Sequence, residues 1–343
     1  MKIKNTILKS YLTKKTLIDT EDSVNFQEIG RGAFNVNYLV KVSSGKQFLF
    51  RFILWSMRDH IKNMAEYESL TLENLESLNL SPTFIINDVS RKDFPYPLIV
   101  EKYISGKTMK QRSERYIEQI LDSLPIVIKL YQKGNTNGIT PQSKIISSDM
   151  FRNRLEYLTT HNSPYVELFN RHIASIDEFT RKCNEILDET VFVHGDLNPE
   201  NFILSDNNKW YLVDWQSAFV GDPSFDIATL VWDFYWKFFA GEVLSEEDKN
   251  LIKQKYCELS GTSMQQLEKK IEIITIFLDL DMLLRIEYMY TRIIKNNDLL
   301  QIQDEEKDFI VQQRISPARN LLVNHESLSL ILEKVKQANE EMQ

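Results

Sequence analysis

The sequence predicts an α+β fold of two lobes, in which a small antiparallel sheet with one main helix precedes a larger, mostly helical lobe. Strand-like runs separated by turns occur among the first hundred residues, whereas apolar residues recur at helical spacing from about residue 108 onward. The 343 residues are enough for two lobes with separate cores. We therefore expect an N-terminal lobe over residues 1–104 and a C-terminal lobe over residues 105–343.

The first hairpin is predicted over residues 26–42, where two strand-like runs flank Gly30 and Gly32. Glycine lets a backbone approach phosphate oxygens closely, so this loop is a candidate cover for a nucleotide. A hairpin with two glycines is also an ordinary β-turn, and the pattern alone leaves both interpretations open. The next strand, residues 47–54, follows a turn at residues 43–46.

Arg51 is a cation on a strand that is otherwise apolar. Because side chains alternate along a strand, the Phe residues of FLFRFIL face one side and Arg51 faces the other, toward the predicted core. The alternative is a charge on an edge strand that reaches solvent. A buried Arg needs a carboxylate partner, and the predicted helix over residues 59–78 offers Glu66 and Glu68. Glu66 shares a helix face with an apolar residue one turn away and is our first choice, with Glu68 as the competitor.

Three polar side chains of the C-terminal lobe, Asp196, Asn201 and Asp214, follow short predicted strands at the spacing that phosphoryl transfer from a nucleotide uses. In that arrangement one Asp accepts the proton of the acceptor hydroxyl, while the Asn and the second Asp hold Mg²⁺. Carboxylate and amide oxygens are the ligands that Mg²⁺ prefers. Each residue alone is compatible with an ordinary turn, but together they predict a kinase. His194, just before the loop, is expected to support it structurally.

The segments HGDLNPEN at 194–201 and VDWQSAFVGDP at 213–223, with Asp226 in the following SFDIA, resemble the aminoglycoside phosphotransferase and choline kinase superfamily. Its members share the protein-kinase-like fold and phosphorylate small molecules. Trp215 and Gln216 stand where a eukaryotic protein kinase would have Phe-Gly, which favours the small-molecule branch. The resemblance implies that Asp226 braces the catalytic loop.

The resemblance also implies roles in nucleotide binding for the N-terminal residues. Gly30 and Gly32 would cover the phosphates. Arg51 would hold the α- and β-phosphates at a position where relatives use Lys or Arg, with Glu66 as its partner.

A strand followed by a breaker over residues 96–106 would form the hinge between the lobes. Backbone groups of Glu101 to Tyr103 would then bind the adenine edge, with Val100 at the back of the pocket. ATP is the expected donor, and GTP stays open because backbone recognition leaves little side-chain signature.

The acceptor is expected against the helical lobe, near the catalytic Asp. Trp232, Asp233 and Trp236 could hold an ammonium group through cation–π contact and charge. Asp279 and Asp281 could receive further amines. The aromatic residues are equally compatible with core packing, and the acids with helix-surface charges.

The resemblance and the net charge of −8 both favour an amine-bearing acceptor, and an aminoglycoside is the first choice. Choline, ethanolamine, a thiosugar, a macrolide and homoserine are the alternatives within the class. A nucleotide-binding module that no longer transfers phosphate is the alternative of another class. A protein substrate ranks last, because the chain between Asp214 and Asp222 leaves little room for a peptide.

Composition sets outer bounds on function. The chain has 41 basic and 49 acidic residues and a net charge of −8, which argues against a nucleic-acid partner and suits a cationic substrate. Two cysteines are too few for a disulfide framework. The N-terminus lacks a signal-peptide pattern, and charges interrupt the apolar stretch 271–294. We expect a soluble cytoplasmic protein without a membrane partner; its oligomeric state stays open.

Overall fold

The computed structural model describes residues 4–56, 58, 61–295, 304–322 and 325–342. Its N-terminal part contains an antiparallel sheet of five strands in the order β1-β2-β3-β5-β4. The turn between the second and third strands contains Gly45 at a φ of +88°, a conformation that glycine adopts without strain. The strands are β1 (Val24–Arg31), β2 (Asn35–Val42), β3 (Gln47–Ile53), β4 (Phe84–Asp88) and β5 (Leu98–Lys102).

Helix α1 (Asn5–Lys14), which the sequence did not predict, covers one face of this sheet. Its buried side chains Leu8, Tyr11 and Leu12 belong to the same apolar cluster as the Phe residues of β3. Its four apolar residues, Ile7, Leu8, Tyr11 and Leu12, recur at helical spacing, but over only ten mostly polar residues this is a weak signal. The helix is therefore identifiable only once the apolar face that it covers is known.

Helix α2 (Met64–Leu75) covers the opposite face of the sheet. The helix predicted over residues 59–78 is too long at both ends. Asn63 caps the N-terminus, since its side chain accepts two amide hydrogens of the first turn, and a 3₁₀ turn follows the C-terminus. Residues 59 and 60 lie outside the part of the chain that the structure describes.

The rest of the described chain is mostly helical and carries two small sheets. One sheet pairs β6 (Gly106–Thr108), β8 (Phe202–Ser205) and β9 (Trp210–Leu212), and the other pairs β7 (Val191–Val193) with β10 (Phe219–Gly221). The helices are α3 (Tyr116–Lys133), α4 (Ser148–Thr160), α5 (Val166–Ile186), α6 (Ser224–Val231), α7 (Asp233–Tyr235), α8 (Glu246–Ser260), α9 (Met264–Tyr290), α10 (Asp304–Ile310), α11 (Ser316–Leu322) and α12 (His325–Glu341).

This architecture confirms the predicted α+β fold, with a sheet lobe and a helical lobe. The division at residues 104/105 stays a prediction. One difference lies within the region that is helical in the sequence pattern: after α6, Trp232 is extended, and Trp236–Ala240 form a π-helical turn. No helix of the described residues is long and apolar enough to span a membrane.

Candidate functional site

The loop after β7 is held in place by a buried carboxylate at the start of α6. Asp226 accepts the amide hydrogens of His194 at 2.9 Å and of Gly195 at 2.8 Å. Gly195 has a φ of +76°, and a Cβ at this position would lie 2.4 Å from the carbonyl oxygen of Ser217. Glycine is therefore required here, and Asp226 makes the contacts that a brace of this loop would make.

His194 lies beneath the same loop. Its buried ring donates from Nε2 to the carbonyl oxygen of Val213 at 3.0 Å and packs on Trp215, with 4.5 Å between the ring centroids. Burial lowers the pKa of His194 to about 4, so the imidazole is neutral near pH 7. A neutral ring bonded to the backbone fits the structural role that was predicted.

Asp196 lies in the loop with both carboxylate oxygens hydrogen-bonded. Oδ2 accepts from the side-chain amide of Asn201 at 3.1 Å, and Oδ1 accepts from the hydroxyl of Tyr235 at 2.7 Å. Burial, and next the nearby charge of Asp214, raise the pKa of Asp196 to about 7. A carboxyl with this pKa is suited to accepting a proton near neutral pH.

Asp214 follows β9 and faces the same space as Asp196. Its backbone is left-handed, with a φ of +67°. Oδ1 accepts from the side-chain amide of Gln216 at 2.8 Å and from the guanidinium of Arg51. The side chain keeps 23% of its surface exposed, so the carboxylate can still reach a ligand.

The donor set around the loop fits a hard divalent cation. Asn201 and Asp214 offer an amide oxygen and a carboxylate, which are ligands of the kind that Mg²⁺ binds together with substrate phosphates. Within the described residues, no group of three or more His, Cys, Asp or Glu could hold a metal ion.

The structure corrects the predicted partner of Arg51. Nε of Arg51 lies 3.3 Å from Oε1 of Glu68, and both side chains are buried, whereas Glu66 is exposed. Burial raises the pKa of the Glu68 carboxyl, and the charge of Arg51 opposes this rise. Glu66 is thus wrong as the ion-pair partner. Residues two positions apart on a helix differ by about 200° around its axis, so only one of Glu66 and Glu68 can face the sheet.

The structure also corrects the side of the sheet on which Val100 lies. Val100 belongs to the apolar cluster beneath α1, whereas the Arg51 side chain points to the other face. The residues on β5 that share the Arg51 face are Ile99 and Glu101, because alternate residues of a strand face opposite sides. Burial raises the pKa of Glu101 to about 7, against the pull of Arg51.

The predicted hinge lies at the end of β5, where backbone donors are already engaged. The amide of Lys102 donates to Thr83 at 2.9 Å and that of Tyr103 to Gln47 at 3.3 Å. A nucleotide would have to compete with the longer of these bonds or use a neighbouring group. The adenine contacts at Glu101 to Tyr103 stay predictions.

The glycine loop connects β1 and β2. The amide of Gly32 donates to the carbonyl oxygen of Asn35 at 2.9 Å, which closes the loop. Neither Gly30 nor Gly32 has a positive φ, and the nearest atom to a Cβ built on Gly30 is 3.9 Å away. The fold itself therefore tolerates a side chain at Gly30, and a requirement for glycine there would come from a ligand.

Several predicted acceptor residues have other partners. Asp233 is exposed and pairs with Lys249 at 2.7 Å, and Trp236 is buried and donates to the carbonyl oxygen of Leu230. Asp281 is buried between the guanidinium groups of Arg154 and Arg285. These three predictions are wrong: the broken helix turns Asp233 outward and Trp236 into the core, and two guanidinium groups already neutralise the carboxylate of Asp281.

The other two predicted acceptor residues, Trp232 and Asp279, lie next to Tyr235. The indole of Trp232 donates to Asp279 at 2.8 Å, and its ring centroid lies 4.8 Å from that of Tyr235. Their contact with an acceptor stays a prediction.

Tyr235 and Gln216 were not predicted as residues of the site, although Gln216 was noted as a departure from Phe-Gly. Both side chains bond to residues that were predicted, Tyr235 to Asp196 and Gln216 to Asp214. A Gln two residues after an Asp that is predicted to bind metal is a local signal. Tyr235 carries no such signal, since 39 residues separate it from Asp196.

Comparison with known proteins agrees with this geometry. The model of the phosphotransferase enzyme family matches residues 25–248, more than half of the chain. A LicA homolog from Mycoplasma capricolum is 27% identical over 175 residues, covering 50% of this chain and 63% of that protein. The LicA protein of Haemophilus influenzae is 31% identical over 84 residues, covering 23% of this chain and 28% of that protein. The chain thus spans less than two thirds of the length of these relatives.

Solved structures share the fold at low identity. Choline kinase LicA from Streptococcus pneumoniae aligns with a TM-score of 0.62 at 20% identity, over 92% of this chain and 98% of that one. Ethanolamine kinase from Plasmodium vivax gives 0.60 at 17%, over 91% and 87%. A spectinomycin phosphotransferase gives 0.57 at 13%, over 98% and 100%. These neighbours confirm the predicted protein-kinase-like fold. The match over residues 25–248 establishes that the chain belongs to the phosphotransferase enzyme family.

Proposed function

We propose that the protein transfers the γ-phosphate of a nucleoside triphosphate to the hydroxyl of a small amino-alcohol of the choline and ethanolamine class. Family membership supports phosphotransfer. The LicA relatives, together with the choline and ethanolamine kinases of the same fold, support this acceptor class over the aminoglycoside that the sequence analysis placed first.

One observation carries the acceptor class, namely that Asp196 adjoins an aromatic cluster. Tyr235 contacts Asp196 and packs against Trp232 at 4.8 Å and Phe239 at 5.4 Å between ring centroids. An amino-alcohol that donates its hydroxyl to Asp196 carries its ammonium two carbons away, within reach of these rings. Aromatic faces attract such a cation, most strongly where water is excluded.

In the proposed reaction the acceptor oxygen bonds to the γ-phosphorus as the bond to the leaving nucleoside diphosphate breaks, and the hydroxyl proton passes to Asp196. Arg51, held by Glu68, positions the phosphates, and the loop at Gly30 to Gly32 covers them. Bound Mg²⁺, held by Asn201 and Asp214, would neutralise phosphate charge.

ATP is the proposed donor, with GTP as the alternative. Neighbours of this fold have been crystallised with AMP and with AMP-PNP, which supports an adenine nucleotide. A donor of this kind implies a compartment that contains it, and we propose the cytoplasm.

The test compares phosphate transfer from MgATP and MgGTP to choline, ethanolamine, several aminoglycosides and 3,3-dimethylbutan-1-ol, the uncharged isostere of choline. Product formation is followed by phosphorus NMR. We expect kcat/KM for choline or ethanolamine to exceed that for the isostere by at least roughly tenfold, because the isostere lacks the cation. Equal rates with the isostere, or preferential transfer to an aminoglycoside, would contradict the proposed acceptor class.

Asp196→Ala serves as the control for mechanism. It should lower kcat by roughly 10²–10⁴-fold, the range for loss of a positioned base, and leave the Kd for MgATP within about threefold of wild type. Normal turnover in the variant would refute the role of Asp196. Tight MgATP binding by the wild type without transfer to any acceptor would favour a non-catalytic binding module.

A further inference from the structure

The two oxygens of the Asp196 carboxylate are held by different parts of the helical lobe. Asn201, in the same loop, donates to Oδ2 at 3.1 Å. Tyr235, from helix α7, donates to Oδ1 at 2.7 Å. The second bond joins the catalytic loop to the aromatic cluster on the proposed acceptor side.

The irregular helix around Tyr235 directs this side chain toward Asp196. Trp232 is extended, with φ −79° and ψ 116°, which separates α7 from α6. The π-helical turn Trp236–Ala240 then ends at Gly241, whose φ is +80°. Such interruptions change the direction of side chains relative to a regular helix and recur at functional sites. Only 8% of the Tyr235 surface is exposed, so its ring is fixed by packing in addition to the hydrogen bond of its hydroxyl.

We propose that Tyr235 is a positioning residue for phosphotransfer: its hydroxyl holds Oδ1 of Asp196 and leaves the acceptor hydroxyl only the remaining lone pairs of that carboxylate. The acceptor in this statement rests on the proposed function. Fixing the carboxylate restricts the angle from which the acceptor oxygen reaches the γ-phosphorus, and alignment of this kind is a large part of the catalysis of phosphoryl transfer.

The test is Tyr235→Phe, which keeps the ring and removes the hydroxyl. Tyr256→Phe is the matched control, since Tyr256 is a buried tyrosine of the same lobe whose hydroxyl lies near Ser260 and Thr262. We expect Tyr235→Phe to lower kcat by roughly tenfold and to leave KM for the nucleotide within about twofold, because the variant loses the alignment of Asp196 and keeps the nucleotide site. Tyr256→Phe should match wild type in both quantities. Wild-type kcat in Tyr235→Phe, or an equal loss of kcat in Tyr256→Phe, would overturn the proposal.

A second measurement needs no acceptor. Crystal structures of the wild type and of Tyr235→Phe compare the orientation of the Asp196 carboxylate, which we expect to be single in the wild type and to rotate or lose order in the variant. A carboxylate that keeps its wild-type orientation in Tyr235→Phe would overturn the proposal. If the wild type phosphorylates no amino-alcohol, the proposed acceptor fails, while this comparison still decides whether Tyr235 positions Asp196.

Discussion

At the scale of single residues, Arg51 forms one of the polar links between the lobes. Its guanidinium lies between Glu68 on α2 and Asp214 after β9. Although burial opposes it, the charges of Asp214 and Glu68 raise the pKa of Arg51 above its ordinary range. A permanently charged, planar group fixed from two sides is well suited to gripping phosphate oxygens.

The pair Glu68→Gln and Glu66→Gln tests this link. Glu68→Gln removes a charge that faces Arg51, and we expect it to raise KM for the nucleotide by about fivefold or more and to lower the free energy of unfolding by ~1–3 kcal/mol. Glu66→Gln changes an exposed side chain of the same helix and should alter both quantities little. Steady-state kinetics and urea unfolding measure the two effects. The reverse ranking of the two variants would show that Glu68 does not support Arg51.

At the scale of elements, glycines in two turns of the sheet are expected for different reasons. One is the backbone conformation of the fold, and the other is the space that a ligand needs. Gly45 in the β2–β3 turn has a left-handed backbone, whereas Gly30 does not. A Cβ on Gly30 would meet no atom closer than 3.9 Å. Substitution at Gly30 therefore tests the predicted contact with a nucleotide, whereas substitution at Gly45 tests how much the left-handed turn contributes to stability.

Gly30→Ala should leave the free energy of unfolding within about 0.5 kcal/mol of wild type, because the strand accepts a Cβ there. It should raise KM for the nucleotide by about fivefold, since the added methyl group keeps phosphate oxygens away from the backbone. Gly45→Ala should do the opposite, lowering stability by ~1–2 kcal/mol with KM unchanged. An unchanged KM in Gly30→Ala would remove the phosphate-covering role from this loop.

At the scale of the whole molecule, helix α9 connects the apolar clusters. Leu267, near the start of α9, packs in the apolar cluster beneath α2. Phe277 packs in the cluster of the helical lobe, and Tyr288, near the end of α9, packs in the cluster beneath α1. Helix α12 adds Leu328 to the cluster of the helical lobe. A continuous helix that packs in all three clusters should couple the unfolding of the two lobes.

Two leucines of α12 measure how much this late helix contributes. Leu328 is fully buried and Leu330 is 55% exposed. Leu328→Ala should lower the free energy of unfolding by ~2–5 kcal/mol through the lost burial and the cavity, whereas Leu330→Ala should change it by less than ~0.5 kcal/mol. Chemical denaturation should show a single transition in both variants. Separate transitions for the two lobes would contradict the coupling through α9.

Features that depend on residue spacing along the chain, namely the face on which a side chain lies and the ends of short strands, were predictable from the sequence. The alternation of β3 predicted that Arg51 faces away from the Phe residues, and the clusters confirm it. The short strands before Asp196 and Asp214 were predicted closely, because turns and breakers mark their ends.

Contacts between side chains that are far apart in the sequence could be identified only from the tertiary structure. Glu68 replaced Glu66 because the rotation of α2 against the sheet selects one of two helix faces, and Val100 lies beneath α1 because strand alternation places it opposite Arg51. Tyr235 reaches Asp196 through a broken helix that no local pattern announced. Local spacing fixes where an element begins and which residues share its face, whereas the packing of distant apolar surfaces fixes what that face meets.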